Sequence, residues 1–576
     1  MEVMPVATGK EPPNPTTAPS AAAALDTMIA LVFISAVLGL VLVFLVLRKQ
    51  TPSKFHASTT QATAPPSPKS DPATGCLTPV EQAVLFTQNG VIYGRSSDIG
   101  ENKSVRTFMG IPYATYVGRF LRAAPQGRFD HGSLVAFSHT PHCVRPEHSP
   151  ADCLSLNVWA PPACNPAEDV KNKTVIVALT ENWFSTALLP LSPSWAEMAA
   201  SEGVVVFVPN YRRGIMGFLN TGNQGVPGNA GLFDLITALR WIKRNAPDFG
   251  GEPDSMVALG QGSGAAMLSL ALGGLGRGFF KRAIFLDMSP FSLIPRNDRH
   301  VGESIALRLC RLMGCHEQTG VNASLYLQRS YTDETLLAYA EAMDELWFVP
   351  SFDQEPLTFP PEKLVGSLEG VDLLCGVDSR AGKLLFHRYL LPPLQRAGGH
   401  AKEDETRFLA NLLAFFLKET AKEFEDTLPR LVSEIKTHYG SAITDKPYDA
   451  LEKFFTDLVF RCPMMTLADA AASAGENRSV FHFVGTTNDT QGFVLTASQI
   501  ADFAKSGKAP SLPGGHSWVP YTKGSLHTVH LPDGVPADTQ RERCNVGRQV
   551  YDYYWDVYGR GNNVTWPKMN SGRRRA

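Results

Sequence analysis

Apolar positions along the chain follow three different rhythms. Short runs, VIVAL at 175–179, VVVFV at 204–208, and the stretches 256–259 and 283–286, have the length and β-branched content of strands buried on both faces. Between them lie amphipathic segments with helical spacing, of which Ala230–Asn245 is the clearest. Strands alternating with helices predict a mostly parallel sheet covered by helices, an α/β fold. The third rhythm is the uncharged run MIALVFISAVLGLVLVFLVL at 28–47. As a helix it would reach ~30 Å, the thickness of a bilayer's hydrocarbon core, so it predicts one transmembrane helix. A secretory signal peptide has a shorter apolar region and a positive start, whereas here Lys10 is offset by Glu2, Glu11 and Asp26.

The stretch after that run is rich in Pro, Ser, Thr and Ala and holds almost no large apolar residues, so 48–75 reads as an extended stalk. The expected order is therefore a cytoplasmic tail at 1–27, a span at 28–47, the stalk, one large domain at 76–565 and a polar tail at 566–576. Hydrophobic residues at 44% and charged residues at 19% of 576 exclude wholesale disorder. A formal charge of -2 gives no electrostatic footprint for nucleic acid, and no nucleic-acid partner is expected.

Orientation rests on opposed signals. Arg48, Lys49 and Lys54 follow the run and would hold that side in the cytoplasm. All 9 cysteines come later in the chain, as do the glycosylation sequons at Asn102, Asn172, Asn322, Asn477, Asn488 and Asn563. Together these favour an oxidising, glycosylating compartment. The expectation is a single-pass type II protein of the plasma membrane with its main domain extracellular.

Several long blocks carry a family resemblance: FMGIPYATYVGRF from Phe108, ADCLSLNVWAP from Ala151, VPNYRRGIMGFL from Val208, PGNAGLFDLITALRWIKRNAPDFGGEPDSM from Pro227 and WVPY from Trp518. The sequence resembles the type-B carboxylesterases and cholinesterases, which implies an α/β-hydrolase fold over most of the chain. Such enzymes place a nucleophile on a sharp strand-to-helix turn, beside a His base, an orienting acid and backbone donors for the oxyanion. By that resemblance the nucleophile position is Gly262, in VALGQGSGAAM, with Ser263 one place along. The acid position in GVDSRAG is Ala381, with Asp378 three residues earlier. The glycine-rich oxyanion loop is replaced by Thr180, Glu181, Asn182 and Trp183, followed by a matching Phe184. The segment after 480–484 lacks the expected His, and His482 and His516 read as core or surface residues. The expectation is a protein that is not an enzyme, with no cofactor and no metal.

The resemblance also implies disulfides Cys143 to Cys153 and Cys462 to Cys544, with Cys310 to Cys315 as a further candidate pair and Cys76, Cys164 and Cys375 unassigned. The first loop, CVRPEHSPADC, holds no aromatic anchor for a quaternary ammonium. The sequence further resembles the cholinesterase-like adhesion molecules of the neurotactin and neuroligin kind, more the former in the expected type II order, implying heterophilic binding of a cell-surface protein. Two other readings stay open, a residual serine hydrolase using Ser263 and a small-molecule binder using the old gorge. A homodimer is expected through helices at 408–418 and 546–558, where Val550, Tyr551, Tyr554, Val557 and Tyr558 recur at helical spacing.

Overall fold

The short apolar runs form the middle of a twelve-stranded sheet. A computed structural model describes residues 82–561, apart from 101–102, 140–152, 163–171, 182, 185–193, 276–277, 295–296, 342, 344–347, 359–360, 393–428, 430–432, 436, 440–446, 475–477, 487–493, 513–514 and 538–540. The strands are β1 (Gln82–Thr87), β2 (Gly90–Gly100), β3 (Lys103–Pro112), β4 (Ser133–Val135), β5 (Ser155–Ala160), β6 (Lys173–Glu181), β7 (Val205–Pro209), β8 (Gly251–Gly262), β9 (Arg282–Leu286), β10 (Asp372–Asp378), β11 (Val480–Gly485) and β12 (Thr528–Leu531). Their spatial order is β1-β2-β3-β5-β7-β6-β8-β9-β10-β11-β12, with β4 beside β2. The pairings from β1 to β7 through β2, β3 and β5 are antiparallel. Every pairing from β7 onward is parallel.

Burial on both faces explains the unbroken apolar runs. Along β6, Val175, Val177 and Leu179 enter one core, while Ile176 and Ala178 enter the other. Each such Val, Leu or Ile side chain contributes roughly 1.5–3 kcal/mol when fully buried. The larger core is covered by α2 (Ala230–Asn245), α3 (Ser263–Leu275), α7 (Cys462–Ser473) and α9 (Cys544–Gly561). The smaller takes α1 (Ser194–Glu202) and α8 (Ala497–Ser506). Thr496 and Gln499 form a capping box at the start of α8, and Gly507 ends it in a left-handed conformation. Between β9 and β10 stand α4 (Arg299–Leu312), α5 (Gly320–Arg329) and α6 (Asp333–Glu341).

Two expectations change here. No helix among the described residues is long and apolar enough to cross a membrane. The run 28–47 lies outside those residues, as do the tail, the stalk and 566–576. The transmembrane helix and the type II plasma-membrane placement built on it are therefore not supported. The C-terminal stripe also differs from a dimer surface: Val550, Tyr551 and Tyr554 are buried in the larger core at 2%, 6% and 2% exposure. Helical spacing is the same for a stripe facing a partner and one facing the domain's own core, and at these three residues it faces the core; the side chains of Val557 and Tyr558 lie outside those described. The helix expected at 408–418 lies outside the described residues.

Candidate functional site

The carboxyl ends of β6, β8, β9 and β10 lie side by side, where open α/β sheets place their sites. Strand β8 runs directly into α3, and the turn between them is Gly260-Gln261-Gly262-Ser263-Gly264. Gly262 has φ +56, a left-handed conformation that L side chains enter only at a cost. Its neighbours are set by close approach. A Cβ on Gly260 would run into the Ala265 backbone, and one on Gly264 into the Leu179 carbonyl of β6. Ser263 is fully buried at the first position of α3.

The segment that replaces the family's oxyanion loop lies beside this turn. Thr180 pairs in register with Gln261, and Glu181 with Gly262. Asn182 lies outside the described residues, while Trp183 and Phe184 are buried and meet edge to face at 5.5 Å. The Trp183 Nε1–H has no hydrogen-bond partner among the described residues. Ala381 sits in the turn after β10, donating its N–H to the Asp378 carbonyl at 3.0 Å.

The acidic residue at the centre of this edge is one the sequence reading passed over. Asp287 follows β9 with φ +69, unusual for a residue with a side chain. Its N–H donates to the Gly376 carbonyl at 2.9 Å. One carboxylate oxygen accepts the Asp378 N–H at 2.8 Å, and the other accepts Gln261 Nε2 at 3.3 Å. Burial raises the Asp287 carboxyl to about 6, the Asp378 charge adds to the rise, and the two hydrogen bonds oppose it. The geometry thus links β8, β9 and β10 through Gln261, Asp287 and Asp378. The available signal was a carboxylate directly after a buried strand, 283–286, at the sheet end that carries sites.

The histidines stand elsewhere. His516 is exposed, and His482 is buried within β11, its Nδ1 3.0 Å from Thr528 Oγ1 and its Nε2 without a partner among the described residues. Burial, with Arg541 nearby, lowers it to about 4, so it stays neutral at ordinary pH.

Deeper in the scaffold, Arg212 and Asp234 form a fully buried pair, with Nε and one terminal nitrogen each 2.7 Å from a carboxylate oxygen. Desolvation pulls the Arg212 guanidinium down, and the Asp234 charge and hydrogen bonds more than offset it, leaving it above its usual value. These residues belong to the NYRRG and GLFDL blocks.

Disulfides join Cys310 to Cys315 and Cys462 to Cys544. Cys153 is also disulfide-bonded, while its expected partner Cys143 lies outside the described residues, with Cys76 and Cys164. Cys375 is a buried free thiol. Of the sequon residues, Asn172 and Asn322 are exposed, and Asn102, Asn477, Asn488 and Asn563 lie outside the described residues. Among the described residues no cluster of His, Cys, Asp and Glu could hold a metal ion.

A family profile described as the carboxylesterase family matches residues 81–508. Cholinesterase 1 of Branchiostoma lanceolatum is 28% identical over 357 residues, 58% of this chain and 94% of that protein. The cholinesterase of Mus musculus is 28% identical over 446 residues, 70% of each chain. The bile salt-activated lipase of Mus musculus is 29% identical over 330 residues; the match takes in 52% of this chain and 53% of the lipase, about half its length. Among solved structures, a carboxylesterase of Geobacillus stearothermophilus superposes with a TM-score of 0.63 at 23% identity, over 81% of this chain and 99% of that one. The sheet order and this superposition agree on the α/β-hydrolase fold. The expectation that the protein is not an enzyme, drawn from the nucleophile, acid, base and oxyanion-loop positions together, is corrected by the same comparisons: the relatives bear the names of cholinesterases, a lipase and a carboxylesterase.

Proposed function

This chain belongs to the carboxylesterase family, and on that premise we propose that it works through heterophilic recognition of another protein. The observation that carries this reading is an exposed tyrosine cluster between β9 and β10. Tyr326, Tyr331 and Tyr339 are 38%, 37% and 41% exposed, and the rings of Tyr326 and Tyr331 lie 6.0 Å apart. Aromatic side chains are enriched at protein interfaces because a rigid ring supplies contact area at low entropic cost, with a polar tip for hydrogen bonding.

The cluster is held in place before any partner arrives. Arg119 donates to Asp333 at 2.6 Å and to the carbonyls of Leu327, Ser330 and Tyr331 at 2.6, 3.0 and 3.0 Å. The Tyr331 hydroxyl donates to the Met313 carbonyl at 2.7 Å, inside the loop closed by Cys310 and Cys315. Pre-ordering of this kind lowers the entropic cost of association.

Purified chain screened against an array of cell-surface proteins is expected to give saturable binding that survives treatment with a fluorophosphonate. The double variant Tyr326→Ala/Tyr339→Ala is expected to weaken it at least tenfold. Full binding by that variant would sink the assignment of the surface. The second reading is ester hydrolysis, favoured by the names of the relatives. It draws on Ser263 beside the turn and replaces the first if the array yields no ligand while turnover of a simple ester disappears in Ser263→Ala.

A further inference from the structure

A cavity of about 250 Å³ opens between α7 and α9, floored by the Cys462–Cys544 disulfide. It is separate from the turn at Gly262: Gln261, Asp287 and Asp378 take no part in its wall. Phe291, Leu458, Met465 and Tyr551 supply apolar lining. Asp469, Arg541 and Arg548 supply charged lining, together with the exposed Glu542.

Asp469, Glu542, Arg541 and Arg548 give that lining as many acidic as basic groups, but they are not evenly paired. Asp469 is already satisfied: it accepts two hydrogen bonds from Arg541, at 2.7 and 3.0 Å, and one from the Tyr521 hydroxyl at 2.6 Å. Its capacity for a further donor is small. The Arg541 Nε–H is buried without a hydrogen-bond partner among the described residues. Arg548, on α9, is half-buried and has neither an ion pair nor a hydrogen bond among the described residues. A guanidinium held partly out of water without an acceptor is costly unless an anion meets it, and its planar fork suits a carboxylate best.

We propose that this cavity binds a small organic monocarboxylate, its carboxylate on Arg548 and its apolar part against Phe291, Leu458 and Met465. The volume lies just below the usual range of about 300–1,000 Å³ for ligand pockets, which limits the apolar part to a short chain or a single ring. The proposal is independent of protein recognition through the tyrosine cluster.

Octanoate and octanol, titrated into the full chain by calorimetry, separate head from tail. Octanoate is expected to bind with one-to-one saturation, and octanol at least tenfold more weakly. Arg548→Met, which keeps the length of the side chain and strips no group among the described residues of a partner, is expected to melt like the parent and to bind octanoate at least tenfold more weakly. Phe291→Ala is expected to weaken octanoate while leaving the preference over octanol intact. Absence of octanoate binding, equal binding of octanol, or undiminished octanoate binding by Arg548→Met would each overturn the assignment.

Discussion

Asp234 and Asp287 are both buried carboxyls of the parallel half of the molecule, and the chain treats their charges in opposite ways. Asp234 meets Arg212 through two hydrogen bonds of 2.7 Å, so charge faces charge inside the core. Among the described residues Asp287 meets only neutral donors, the Gln261 amide and the Asp378 N–H, while the Asp378 carboxylate adds to its burden. The first arrangement locks the loop after β7 to α2. The second, held at φ +69 beside a turn at φ +56, concentrates strain and raised proton affinity at the sheet end that carries sites.

Breaking the balanced region has the largest expected effect. Asp234→Asn leaves the Arg212 guanidinium buried without a counter-charge, and a loss of about 3–5 kcal/mol is expected in chemical denaturation. A loss below about 1 kcal/mol would mean that Arg212 escapes to solvent and that the two regions are less distinct than their geometry.

The unbalanced region is sharpened by pH. Because the folded-state value of Asp287 is raised, to about 6, above the ordinary 3.8, the native state binds this proton more tightly than the unfolded chain does. Its contribution is therefore fully present below pH ~4 and is lost as pH rises through about 6, by roughly 3 kcal/mol at most. Asp287→Asn should remove that slope, so the difference in stability between variant and parent grows in the variant's favour from pH 4 to pH 7 and then levels. A difference that stays constant across this range would show that Asp287 keeps an ordinary acidity.

The smallest effect belongs to the turn. Gly262→Ala at φ +56 should cost about 1–2 kcal/mol, read as a lowered melting temperature, because the added Cβ crowds its own carbonyl. A neutral outcome would mean that the turn relaxes into an ordinary conformation and stores no strain.

Much of the scaffold was legible without coordinates. The runs at 175–179, 204–208, 256–259 and 283–286 are interior strands, because only positions buried on both faces tolerate unbroken apolar sequence. The turn was equally legible, since glycines around 262 mark a left-handed position between two close backbone approaches. The C-terminal stripe was not, because Val550, Tyr551 and Tyr554 look the same to a periodicity argument whether they face a partner or the core.

Pattern along the chain thus decides where strands and helices form and which turns require glycine, since those depend on neighbours a few residues away. Tertiary structure alone decides that Asp287 meets Gln261 and Asp378 across three strands, that Arg119 braces a tyrosine cluster more than two hundred positions later, and that Arg548 lines a cavity without an acceptor among the described residues. These depend on groups far apart in sequence, and the proton affinity of a carboxyl or the cost of a lone guanidinium is set by the water and charge that the fold removes from around it.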